Sequence, residues 1–159
     1  MPKLVFIMAR SYHVPSVEEM KALLKSKGLK ATRQRLSVHE AMIALGHASA
    51  DMVTEYISTG GGPKVTVASV YNVLSQFALY GFYRHRMSAN NKMYFDVNTS
   101  RHMHLYDTYG NEFKDIVDED ILGFCEDKLK HLRFKGYKID GIDVQIICHP
   151  SHRKQSASR

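Results

Sequence analysis

The apolar spacing of this chain changes at Gly81. Upstream, apolar residues recur three and four positions apart in four segments; downstream they fall in short strand-like runs. SVEEMKALLKSKG (16–28) begins on an N-cap serine with Glu19 at the third following position, carries Val17, Met20, Leu23 and Leu24 on one face, and stops at a glycine. TRQRLSVHEAMIALG follows, with Thr32 as cap and Leu36, Ile43 and Leu45 among its apolar positions. ASADMVTEYIS makes a third helix, capped by Ser49 and burying Met52, Val53, Tyr56 and Ile57. After GGGP at 60–63, TVASVYNVLSQFALYG reads as a fourth helix from a cap near Thr66 to Gly81. It offers Val70, Val73, Leu74, Phe77 and Leu79 to a core, with Ser69, Tyr71, Asn72 and Gln76 on other faces. FYRHRM and KMYFDV then flank SANN, whose Asn pair suits a tight hairpin turn. Helices followed by a two-stranded wing is the order of a winged helix-turn-helix, whose last helix enters the DNA major groove.

Beyond Asn98 the pattern becomes that of a small α+β unit. Strands MHLYDTYG and NEFKDIV precede a helix DEDILGFCEDKLKHLRFKG, acidic in its first turn and basic in its last, and an alternating strand YKIDGIDVQIIC. The expected fold class is therefore α+β. Its expected organisation is an extension at 1–15, a winged-helix domain at 16–97, a second α/β domain at 98–149 and a basic tail at 150–159.

Charge follows the same division. Residues 1–99 hold 12 Lys/Arg against 6 Asp/Glu, whereas residues 100–159 hold 10 of each, so the whole net charge of +6 lies in the helical half. A basic half favours a polyanionic partner, because neutralising phosphates supplies most sequence-independent binding energy. No apolar run approaches the roughly 20 residues that span a bilayer, and LVFIM is shorter than the roughly 7–15-residue core of a secretory signal. The expectation is a cytoplasmic protein with no membrane partner. Two cysteines, Cys125 and Cys148, with no CxxC, exclude a four-thiolate zinc site by count.

That leaves nine histidines as the available soft ligands. In FDVNTSRHMHLYD (95–107), His102 and His104 stand two apart, which on a strand sends both to one face and lets both reach a point about 2.1 Å from their nitrogens. Asp96, six residues earlier, adds an oxygen suited to iron, manganese or zinc, and Asp115, on the strand expected to pair with that of His104, adds another. CHPSH, with Cys148, His149 and His152, places three soft ligands within five residues and leaves haem open as a ligand.

The succession TRQRL, HASADMV, TVASVYNVLSQFALYGF, YFDVNTSRHMH and an acid before a hydrophobic strand resembles the ferric uptake regulator superfamily of metal-dependent bacterial transcription regulators, over about residues 16–148. The resemblance implies an N-terminal winged helix joined to a C-terminal α/β dimerisation unit. It also implies a regulatory hinge metal, Fe2+, Mn2+ or Zn2+, held by His47, Asp96, His102, His104 and Asp115. Aspartate at 96 and 115, and Asn72 in SVYNVL, resemble the peroxide-sensing branch, in which iron reacts with hydrogen peroxide and a ligand histidine is oxidised. Asp107 and Gly110 stand where the family has its first CxxC pair, so its structural zinc is expected to be absent. Arg101 and Met103 replace residues of the family's frequent second site.

Candidate DNA contacts follow from chemistry and position. Tyr71 suits a thymine methyl or phosphate and Asn72 an adenine edge, with Ser69 just before them; Lys64, Arg84, Arg86, Arg33 and Arg35 suit phosphate. The expected function is that of a homodimeric repressor on a palindromic double-stranded operator, not an enzyme. The alternatives are a haem-responsive regulator of the same family and a metal-dependent hydrolase whose ligands activate water.

Overall fold

The computed structural model describes residues 12–151; the start of the N-terminal extension, through residue 11, and the tail from His152 onward lie outside the described residues. Two compact units divide the chain, one of residues Tyr12–Ser100 and one holding the described residues from Arg101 on.

In the first unit each helix starts on the residue whose side chain can satisfy its open amides. Ser16 caps α1 (Val17–Ser26), with its own N–H donating to Glu19 Oε2 at 2.6 Å. Thr32 caps α2 (Arg33–Leu45), Ser49 caps α3 (Ala50–Thr59), and Thr66 with Ser69 forms a reciprocal box at α4 (Val67–Leu79). Met20, Leu24, Val38, Met42, Val53, Ile57, Val70, Leu74 and Phe77 pack into one core against Phe95 of the wing. Between α2 and α3 lies a strand of two residues, β1 (His47–Ala48), too short to show a period in the sequence. It joins β2 (Arg84–Met87) and β3 (Met93–Asp96) in a sheet of order β1-β3-β2. Asn91, at φ 62, turns the hairpin.

Three expectations for this core fail, and the first is Tyr56 of α3, which is 42 % exposed rather than buried. Leu79 is 85 % exposed, because it lies two residues, about 200° of helix rotation, past the core-facing Phe77. On α2 the fully buried positions are Val38, His39 and Met42, while Leu36, Ile43 and Leu45 are only half-buried.

The second unit is a three-stranded sheet, order β5-β4-β6, with one helix. β4 (Met103–Asp107) pairs antiparallel with β5 (Glu112–Ile116) and parallel with β6 (Gln145–Cys148). Asp118 caps α5 (Glu119–Lys130). The helix stops at Lys130, short of residue 136, because Leu132 and Phe134 find no core and stand exposed. The strand expected from residue 137 forms only at Gln145–Cys148: β4 is five residues long, and in the observed register it offers no partner to 137–143. Among the described residues no helix is long and apolar enough to cross a membrane.

Candidate metal centre

In the second unit, alternation along β4 sends Met103 into the core and leaves His102 and His104 on the other face. The register places Asp115 of β5 directly opposite His104. His102 Nε2 and His104 Nε2 lie 2.9 Å apart, and each is 3.5 Å from Asp115 Oδ1. Ligands held about 2.1 Å from one ion are separated by about 3.0 Å at right angles and about 3.4 Å at the tetrahedral angle. The three donors thus match one face of a coordination polyhedron, and the mixed nitrogen and oxygen set suits iron, manganese or zinc better than calcium or magnesium. His104 is fully buried, its ring edge-on to Phe113 with centroids 5.5 Å apart. Asp143 Oδ1 lies 3.9 Å from the opposite ring nitrogen, Nδ1, where a carboxylate favours the tautomer that turns the Nε2 lone pair towards an ion. Asp143 was not legible in the sequence, because the stretch from residue 137 reads there as one alternating strand, whereas the observed strand begins at Gln145 and no local spacing marks Asp143 as a neighbour of His104.

In the first unit, Gly46 ends α2 at φ 75 and ψ −60, its N–H donating to Met42 O at 2.8 Å and its carbonyl accepting from Val97 N–H at 3.2 Å. The chain leaves this turn directly into β1, which pairs with β3 so that His47 faces Asp96. His47 Nε2 is 3.4 Å from Asp96 Oδ2, again one coordination edge. Asp96 Oδ1 accepts from Asn98 N–H at 2.7 Å, which fixes the carboxylate plane.

Arg86 corrects an expectation. Instead of facing solvent on the wing it is 8 % exposed, and its Nη2 donates to Asp96 Oδ2 at 3.5 Å. In register it faces Tyr94, and the carboxylate two residues along the neighbouring strand draws it inward. Arg35 is half-buried and is also engaged, donating to Lys30 O at 2.6 Å and to Gln76 Oε1 at 2.7 Å, so it clamps α2 to α4. Ser69 spends its hydroxyl on the α4 cap. Arg33, Lys64, Asn72 and Arg84 are exposed, and Tyr71 is exposed with its ring edge-on to Phe95. Lys92, at the exposed hairpin turn, was not singled out from the sequence although a basic wing tip is a simple signal.

In the CHPSH segment, burial pushes the Cys148 thiol above its ordinary range and the nearby Asp107 adds to the effect. That works against a thiolate ligand there.

A winged helix followed in the chain by a small sheet bearing a His, His, Asp donor face defines a class, the winged-helix proteins equipped with transition-metal ligands. Within it, the chain belongs to the ferric uptake regulator family, whose sequence model matches residues 26–146. It is 26% identical over 144 residues to the peroxide operon regulator of Bacillus subtilis, an alignment covering 88% of this chain and 96% of that one. To the peroxide-responsive repressor PerR of Staphylococcus epidermidis it is 30% identical over 90 residues, 56% of this chain and 59% of that one, so this match spans less than two thirds of that relative's length. The crystal structure of the Vibrio cholerae ferric uptake regulator superposes with a TM-score of 0.71 at 22% identity, covering 82% of this chain and 99% of that one, and shares the fold.

Proposed function

We propose that this protein is a homodimeric, metal-dependent DNA-binding repressor, loaded with one divalent transition ion per subunit on His47, Asp96, His102, His104 and Asp115. The observation that carries the reading is the triangle of His102 Nε2, His104 Nε2 and Asp115 Oδ1, three donors at coordination-edge spacing on two paired strands. His47 and Asp96 add a second donor pair from the winged-helix unit. One ion shared by all five would tie the DNA-reading unit to the second unit, so that metal selects one conformer. A family of transcription regulators is also not one of enzymes, which argues against the hydrolase alternative.

DNA binding is supported by the outer face of α4, where Val67, Ala68, Tyr71 and Asn72 are exposed, with Lys64 just before the helix and Arg33 and Arg84 exposed in the same unit. Self-association is supported by the second unit, where Phe124, Phe134, Tyr137 and Ile147 are all at least half exposed, more large apolar side chains than so small a unit commonly leaves to water. Cytoplasmic location fits this role.

Two aspartates in the donor set, and relatives named as peroxide regulators, favour peroxide as the signal. Bound ferrous iron would supply the electrons that reduce peroxide; the chain's part is to hold His47 and His102 beside it. DNA enriched from a random pool by the Mn2+-loaded protein should bind the parent only with Mn2+ present, and should bind Asp115→Ala weakly under all conditions. Equal binding by both proteins, with and without Mn2+, would sink the proposal. Peroxide treatment of the iron-loaded protein should add one oxygen to a peptide carrying His47 or His102, and unchanged masses would leave a plain metal sensor.

A further inference from the structure

Asp96 Oδ2 serves two neighbours. His47 Nε2 lies 3.4 Å from it and Arg86 Nη2 lies 3.5 Å from it, and both belong to the winged-helix unit. Oδ1 is engaged by Asn98 N–H, so Oδ2 is the oxygen that Asp96 would present to an ion. A carboxylate only 1% exposed needs a counter-charge, and here the wing strand β2 provides it. The same guanidinium opposes a metal. An ion about 2.1 Å from Oδ2 can be no farther than roughly 5.6 Å from Arg86 Nη2, and like charges that close in a buried site repel strongly. Whether the guanidinium stays or is displaced, loading the site costs more than it would beside a neutral side chain.

We propose that Arg86 is the resident counter-cation of the metal-free site: it holds Asp96 until a divalent ion replaces it, and thereby sets the metal concentration at which the protein loads. This rests on the reading of Asp96 as a ligand. It assigns to Arg86 a role in tuning affinity that differs from both DNA contact and ligation. On this proposal Arg86 is the counter-charge of Asp96 when no ion is bound, and so stabilises the metal-free form in particular.

The test is equilibrium Mn2+ binding to the full-length protein, with free Mn2+ read by its EPR signal, alongside thermal melting with and without Mn2+. Arg86→Met and Arg86→Gln should each bind Mn2+ at least tenfold more tightly than the parent, while melting at a lower temperature in the absence of metal. Arg86→Lys, which keeps a cation, should fall between parent and Arg86→Met and serves if the neutral variants fold poorly without metal. Affinities equal to or weaker than the parent's, with melting lowered equally in both states, would mark Arg86 as a structural ion pair and overturn the proposal. Asp96→Ala separates the two readings. If it weakens Mn2+ binding while the Arg86 variants do not strengthen it, only the counter-cation proposal falls; if it leaves Mn2+ binding unchanged, Asp96 is no ligand and both fall.

Discussion

Replacing Gly46 by alanine tests the geometry that delivers His47. The residue sits at φ 75 and ψ −60, a tight-turn conformation that costs an L-residue about 1–3 kcal/mol. It cannot relax cheaply, because its N–H is bonded to Met42 O at 2.8 Å and its carbonyl to Val97 N–H at 3.2 Å. Either the strain is accepted or those bonds open, and opening them frees β1 from its pairing with β3. For a folding unit of this size each kcal/mol lowers Tm by about 4–8 °C. Gly46→Ala should therefore melt at least about 4 °C below the parent when followed by far-UV circular dichroism. If His47 is a ligand, Mn2+ affinity should fall as well, since the variant must restore the turn before His47 can face Asp96. Ala41→Gly, on the same helix and away from the turn, controls for general loss of stability. An unchanged Tm with unchanged Mn2+ affinity would refute the argument that this turn positions His47.

His39 gives a pH prediction. It is fully buried, its Nδ1 2.6 Å from Tyr83 Oη and its Nε2 2.7 Å from Pro15 O; desolvation lowers its pKa from 6.5, with hydrogen bonds to the Pro15 and Ser16 backbone opposing. The unfolded chain then takes up the proton more readily, so stability is retained above about pH 6.5 and lost as pH falls below it. Urea midpoints at pH 7.5 and 5.5 should differ in the parent and converge in His39→Gln; parallel behaviour would refute this. Saturating metal should raise stability by about 2.7 kcal/mol at a hundred times Kd, a Tm rise of roughly 5–11 °C for a chain of this length. Failure of Mn2+, Fe2+ and Zn2+ all to shift Tm would remove the metal centre. Lys64→Ala and Arg84→Ala should each reduce the salt dependence of DNA binding by about one phosphate contact without changing sequence preference, as read by gel shifts at two salt concentrations. A changed sequence preference would instead place these side chains at base edges.

Much of this molecule is written in local sequence. Ser16, Thr32, Ser49 and Thr66 mark helix starts because a cap forms between residues three apart, before any tertiary contact exists. Period-two spacing puts His102 and His104 on one face for the same reason, and the turn between β4 and β5 then carries Asp115 to His104. His47 was reachable only through resemblance to a family, since a two-residue strand has no periodicity to read. Where a side chain is drawn by a partner distant in the chain, local pattern fails. Arg35 and Arg86 look like surface cations in sequence, yet Gln76, 41 residues away, and Asp96, on the neighbouring strand, take them inward. The end of α5 and the short β6 belong to the same category, because apolar residues form regular structure only where a packed face or an open strand edge awaits them. The sequence by itself determined where the first four helices, the wing hairpin and the paired strands β4 and β5 lie, and that His102 and His104 share a face. Only the tertiary structure decided which charges remain available at the surface, because burial and ion pairing are settled between segments that no local spacing connects.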